Sequence, residues 1–232
     1  MLKHPLTTLS VFLASTLAAA YASAAPLILD NFSETSTTWP VSLPTGTLSI
    51  TKVDALSTSP FVYRATTLGT TKATNTGFIQ PLVAIYQPDD SDHNVLELAS
   101  PVNFPAYVRL DYATGANPAD FSSYAGITVH FDSYDYPDQK PLLAKLTVQD
   151  VFGAPLKNGT SVPFNATSGD LFIPFSSVPT YNPATTYAVS LTFTPPAGAD
   201  FRISAISTEI PEPTGAFALV PAAGLLVRRR RS

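Results

Sequence analysis

Apolar and polar residues alternate with period two along five stretches of the chain. Val108, Leu110 and Tyr112 alternate with Arg109 and Asp111, Ile127, Val129 and Phe131 with Thr128 and His130, and Ala144, Leu146 and Val148 with Lys145, Thr147 and Gln149. Downstream, Val189, Leu191 and Phe193 alternate with Ser190 and Thr192, then Phe201, Ile203 and Ala205 with Arg202 and Ser204. Successive side chains of a strand point to opposite faces, so each set predicts a strand with one buried and one wet face, as in antiparallel sheets. Further strands are expected at 27–29, 48–53, 61–66, 78–86, 95–99, 162–164 and 171–175. Pro44-Thr45-Gly46, Lys157-Asn158-Gly159 and Pro195-Pro196-Ala197-Gly198 supply turn residues between them. About a dozen short strands without intervening helices predict an all-β fold, an antiparallel two-sheet sandwich of jelly-roll type.

Both ends break this pattern and predict helices outside the sandwich. At the start, Lys3 and His4 precede an apolar run over 9–20 and then Ala22-Ser23-Ala24, a small-residue cleavage site. That order predicts a signal peptide over 1–24, cut after Ala24 because Pro26 obstructs the next bond. Residues 25–209 form one domain, long enough for a substantial core. Over 210–232 come Pro211-Glu212-Pro213, an uncharged apolar stretch from Ala216 to Val227, and then Arg228, Arg229, Arg230 and Arg231. As a short helix the apolar stretch spans only about 18 Å of a hydrocarbon core about 30 Å thick, which suits a transient stop better than a permanent anchor. The arginines stay cytoplasmic by the positive-inside rule and orient the body outward. This tripeptide, apolar segment and basic end resemble the PEP-CTERM sorting signal. The resemblance implies handling by signal peptidase and exosortase, transient membrane contact, and a destination at the cell surface or in the extracellular matrix.

Composition agrees with an exported β-protein. There are 22 prolines and no cysteine, so stability must come from the core rather than from disulfides. Residues 25–209 carry sixteen acidic and eight basic side chains, a net charge of −8 that the arginine tail conceals in the whole-chain value of −4. A body this acidic excludes nucleic acid as a partner.

The body also carries Leu29-Asp30-Asn31-Phe32, Ala119-Asp120-Phe121-Ser122-Ser123-Tyr124-Ala125-Gly126, Val148-Gln149-Asp150-Val151-Phe152-Gly153 and Ala199-Asp200-Phe201-Arg202-Ile203-Ser204-Ala205-Ile206. In this order they resemble galactose-binding-like β-sandwiches, which include many non-catalytic carbohydrate-binding modules. The resemblance implies a carbohydrate ligand, exopolysaccharide in this setting, and a structural calcium near Asp30 and Asp200. Calcium wants six to eight oxygens, and two carboxylates read more simply as strand-end residues. Asp89, Asp90 and Asp92 form a second candidate calcium cluster without EF-hand spacing, and its simpler reading is a solvated turn.

Sugar rings stack on aromatic side chains and bond to flanking polar groups. Trp39, Tyr134 and Tyr136 are the candidate platforms, the tyrosines within a loop expected over 132–138, with His130 on the outward face of its strand. No nucleophile elbow, zinc-binding helix or phosphate loop occurs, so no catalytic residue is assigned. Sixteen carboxylates leave a polysaccharide hydrolase open, since two suffice for one. A structural surface protein without a discrete ligand is the other alternative.

Overall fold

The computed structural model describes residues 25–33, 40–43, 47–57, 59–70, 81–89, 91–102, 104–135 and 139–210. Within them the chain forms two antiparallel sheets. In order across the first run β11 (Gly169–Pro174), β8 (Gly126–Tyr134), β13 (Phe201–Glu209), β6 (Val95–Ala99), β5 (Leu82–Tyr86) and β2 (Val41–Ser42); β1 (Ile28–Asp30) pairs with the end of β13 as the seventh strand. The second sheet runs β10 (Lys157–Phe164), β9 (Leu142–Gln149), β12 (Ala188–Thr194), β7 (Ala106–Ala113), β4 (Tyr63–Thr70) and β3 (Ser49–Ala55). The protein is thus an all-β two-sheet antiparallel sandwich, as the alternating pattern predicts.

Side-chain parity places the core between the sheets. Val108, Leu110, Ile127, Val129, Leu146, Val148, Leu191 and Ile203 are all buried, whereas Arg109 and His130 are exposed and Lys145 and Thr192 half-buried. Each such aliphatic side chain contributes roughly 1.5–3 kcal/mol by leaving water. Phe131 anchors one end of the core, stacked on Phe164 at 4.4 Å and meeting Phe193 and Phe201 edge-on at 5.9 Å.

Several boundaries differ from expectation for local reasons. Lys157, Asn158 and Gly159 open β10 rather than forming a turn, because the reversal occurs earlier, at residues 151–154, where Gly153 supplies φ 74°. Tyr134 belongs to β8 and not to a loop. Ala205 faces outward although its parity with Ile203 predicts burial: Ser204 is an extra residue in β13, so Ile206 and Thr208 take the inward positions. Trp39, Asp90 and Tyr136, together with 1–24 and 211–232, lie outside the described residues.

A buried ionic cluster ties the two sheets together. Arg64 on β4 occupies an inward position, fully buried, and its Nη1 donates to both oxygens of Asp30 on β1 at 2.9 and 2.7 Å. Its Nη2 donates to Asp54 of β3 at 2.9 Å, and the Tyr112 hydroxyl of β7 donates to Asp30 at 2.9 Å. Asp30 also accepts from the Phe32 backbone N–H at 2.8 Å, and the Phe32 ring lies 5.3 Å from the guanidinium carbon. Burial works most strongly against the Arg64 charge, but Asp30, Tyr112 and Asp54 together outweigh it and hold the guanidinium above its ordinary range. Burial and then Asp30 push the Tyr112 hydroxyl well above its usual value, so it remains a donor. The opening Leu-Asp-Asn-Phe segment is therefore a latch: Leu29 and Phe32 enter the core while Asp30, with Asp54, balances the buried Arg64 charge.

Candidate functional site

The outward face of the seven-stranded sheet carries a connected polar row. His130 on β8 stands opposite Asp170 on β11, and its Nδ1 lies 2.6 Å from the Asp170 carboxylate. Two residues along β8, Asp132 places one oxygen 3.8 Å from His130 Nε2 and the other 2.9 Å from Nε2 of His93. His93 lies in the β5–β6 loop, where its Nδ1 meets Ser91 Oγ at 2.9 Å and Asp92 at 3.1 Å. One carboxylate thus bonds the His93 imidazole and stands beside that of His130, from a different part of the chain. The Asp132 hydrogen bond, with Asp92 second, raises the His93 pKa above its ordinary value, and the same imidazole lowers that of Asp92.

Beside this row, Arg202 on β13 donates from Nε to Glu97 on the neighbouring β6 at 3.0 Å, and the Tyr86 hydroxyl of β5 donates to the same carboxylate. Burial, then the Glu97 contact, raises the Tyr86 pKa. Three shallow, solvent-open depressions lie between these groups. One of ≈ 440 Å³ is bordered by Asn31, His93, His130 and Ser204, one of ≈ 590 Å³ by Ser91, Asp132 and Arg202, and one of ≈ 380 Å³ by Glu97, Ser133 and Asp200. Open relief lined by amide, imidazole, carboxylate and guanidinium groups can hydrogen-bond an extended polar ligand.

Two opposed β-bulges shape this surface. Arg202 pairs with Ser133 and Ile203 with Phe131, which leaves Asp132 as the extra residue of β8; Ala205 then pairs with His130, which leaves Ser204 as the extra residue of β13. Each bulge inverts the parity of its strand beyond it. That inversion turns Tyr134 inward, where it is 2 % exposed, packs against Phe164 at 6.2 Å and donates to the Lys140 carbonyl at 2.7 Å. Tyr134 is therefore a core residue and not a stacking platform. His130 stays on the outward face, as expected.

The metal candidates are not brought together. Asp30 pairs across the sheet with Ile206, six residues along the chain from Asp200 with one bulge between, so their backbones stand roughly 15–20 Å apart by strand rise. Asp30 is committed to Arg64 and Tyr112, and Asp200 accepts from the Ser100 backbone N–H at 2.7 Å. Burial raises the Asp200 pKa, with Asp135 and Glu97 adding to the effect. Asp89 is exposed and Asp92 bonds to His93. Among the described residues no group of three or more ligating side chains converges.

The sequence did not single out Asp132, Asp170, Arg202, Glu97 or Tyr86. Asp132 shares the outward parity of His130, a signal that extending that strand by two residues would have exposed, and Arg202 already stood among the polar positions of its strand without being assigned a role. The pairing of Asp170 with His130 depends on which strands are neighbours and leaves no local trace.

The chain is similar to several solved structures at low sequence identity. The chain is similar to the family 11 carbohydrate-binding module from Clostridium thermocellum, solved with a β-1,3-1,4-mixed-linked tetrasaccharide, at 12% identity and a TM-score of 0.41, over 81% of this chain and 97% of that one. It is similar also to a carbohydrate-binding module specific for non-crystalline cellulose, at 14% identity and a TM-score of 0.39, over 55% and 79% of the two chains. The enzymatically active domain of a bacteriophage CBA120 tailspike protein matches at 15% identity and a TM-score of 0.35, over 55% of this chain and 17% of that one. No protein-family model matches the sequence, and no curated protein does.

Proposed function

We propose that the chain is an exported, non-catalytic binding module that contacts exopolysaccharide through the outward face of its seven-stranded sheet. The observation that carries this reading is the continuous row Asp170–His130–Asp132–His93 beside Arg202 and Glu97, set among open depressions rather than in a closed cleft. A polysaccharide presents many hydroxyls along an extended chain, and such a row matches them with donors and acceptors at intervals. Asp92, Asp132 and Asp170 make the face rich in carboxylates, which favours a neutral over an acidic polymer through like-charge repulsion. Export through the signal peptide and sorting through Pro211-Glu212-Pro213 and the arginine end complete the reading, on the sequence pattern alone.

The test is a polysaccharide pull-down and glycan array with the full chain, beside the variants His130→Ala and Arg202→Ala. Weak, reversible retention of a neutral polysaccharide that falls at least about fivefold in each variant, with an unchanged unfolding midpoint, supports the proposal. Retention unaffected by either substitution removes the sheet face from the binding role, and no retention at all favours a structural surface protein. Release of reducing sugar that disappears in Asp132→Asn transfers the assignment to a hydrolase.

A further inference from the structure

The two chain ends leave the sandwich side by side. The Thr208 N–H donates to the Leu27 carbonyl at 2.9 Å and the Leu27 N–H to Thr208 Oγ1 at 2.8 Å, so residues entering at 25 and departing at 210 share one pole. The turn of β9 into β10 belongs to the same pole. Tyr187 N–H donates to the Gln149 carbonyl at the end of β9, Thr186 pairs with Ala119, and the segment from 119 runs to Ala125, whose N–H donates to the Glu209 carbonyl at 2.8 Å. The depressions bordered by Asp132, Asp200 and Arg202 lie toward the opposite end of β13, a strand about 26 Å long at 3.3 Å per residue.

The β9–β10 turn is chemically unusual for a surface loop. Val151-Phe152-Gly153-Ala154-Pro155-Leu156 contains no polar side chain, where solvent-facing connections ordinarily carry them. Val151 is 58 %, Phe152 69 % and Leu156 45 % exposed, and the Phe152 ring leans on Tyr187 at 5.5 Å. The two charges at its base cancel, since Lys157 Nζ lies 2.6 Å from the Asp150 carboxylate. Ile28 and Val62, 56 % and 50 % exposed, add apolar surface at the strand ends of this pole.

From this juxtaposition we infer that the pole is a membrane-resting face, with Val151, Phe152 and Leu156 entering the interfacial layer of a phospholipid bilayer while the C-terminal segment holds the chain there. The inference rests on the export reading above and on the transient membrane stop that the C-terminal segment makes. Covalent geometry then limits the distance: from Ile210 to Ala216, where the apolar stretch begins, there are six Cα steps, at most about 22 Å. A bilayer that holds the stretch from Ala216 to Val227 therefore lies within about 22 Å of the pole, and the exposed hexapeptide is the apolar surface turned toward it. Aromatic and aliphatic side chains on an uncharged tip favour the headgroup boundary. The same seating points the polysaccharide-facing depressions away from the membrane.

The absence of cysteine permits a direct test. The full chain carrying Val151→Cys or, at the opposite pole, the 82 % exposed Val102→Cys is labelled with an environment-sensitive fluorophore and reconstituted with vesicles of phosphatidylcholine and phosphatidylglycerol, with or without spin-labelled lipid. Flotation of the protein with the vesicles tests tethering itself. Among floated molecules, the inference expects a blue shift and at least about threefold quenching at position 151, little at 102, and loss of the difference when Phe152→Ser is added. Flotation without quenching at 151 overturns the inference and leaves the tether standing; failure to float overturns both. A blue shift at 151 already present without vesicles, or one that grows with protein concentration, assigns the patch instead to the chain's own tail or to a second copy and also overturns it.

Discussion

Asp132 of β8 and Ser204 of β13 are the extra residues of two β-bulges that stand opposite each other in the middle of the seven-stranded sheet. Without them, period-two alternation would continue: Asp132 would remain one of a regular series and Ala205 would point into the core. With them, the polar row and the inward Tyr134 coexist on one strand. The bulges are thus the structural origin of the surface relief on which the functional proposal rests.

The His93–Asp132 contact should be visible as a pH dependence. Because the folded-state pKa of His93 is raised by Asp132 and then Asp92, the contact stabilises fully below the unfolded imidazole value and is lost as pH rises through the raised folded value. Both partners are solvated, so the effect on stability stays below about 1 kcal/mol. An NMR titration of the imidazole should show Asp132→Asn moving the His93 pKa downward; an unchanged titration would remove the role assigned to Asp132.

Replacing Arg64 by Met should be among the most damaging single changes in the protein. It leaves the Asp30 and Asp54 carboxylates buried without the guanidinium that both accept from, a loss of about 3–5 kcal/mol. Urea unfolding measures it. Joint replacement of Arg64, Asp30 and Asp54 by Met, Asn and Asn should recover part of the loss, because no buried charge then lacks its partner. A single variant within about 1 kcal/mol of the parent would show that the cluster contributes little.

What was legible in the sequence follows from how local each determinant is. Alternation in β7, β8, β9 and β12 identifies the inward residues correctly because each strand is regular over the residues that carry the pattern, but it misses the burial of Thr147 and Ser190 on the face expected to be wet. It fails at Ala205 because a bulge is set by pairing with another strand. Asp30 reads as an ordinary strand-end carboxylate, since its burial depends on Arg64, which is 34 residues away. Yet the inward series Arg64, Thr66, Leu68 was already written in β4, and a basic residue in such a series signals a buried acidic partner. The aromatic platforms illustrate the converse limit: Tyr134 has the composition of a binding residue, and only the parity change sends it into the core.

Gly126 should tolerate no side chain. A Cβ built there would collide with the Ile173 carbonyl oxygen and lie 2.8 Å from Pro174 Cα, both backbone atoms of β11 that cannot rotate away. Gly126→Ala should therefore cost about 1–3 kcal/mol as an overpacked site. Gly153→Ala meets open space but requires φ 74°, so its cost should be near 1 kcal/mol. Thermal or urea midpoints of the two variants check the order; a larger loss at Gly153 would contradict the packing argument.

The C-terminal segment should be dispensable for folding and indispensable for sorting. β13 completes its pairing at Glu209, which stands opposite Gly126 and accepts from the Ala125 N–H. Pro211 and Pro213 have no N–H with which to extend that ladder, so the sandwich needs nothing beyond them. A chain ending at Glu209 should unfold within about 0.5 kcal/mol of the full-length protein, the range of substitutions remote from any packed feature. In the native host it should also appear as freely released product instead of at the cell surface, as fractionation of cells and medium will show. If the shortened chain loses several kcal/mol, the segment packs as part of the body and the sorting interpretation fails. Should it remain at the surface with full stability, another part of the protein directs it there, and the arginine end loses the role assigned to it.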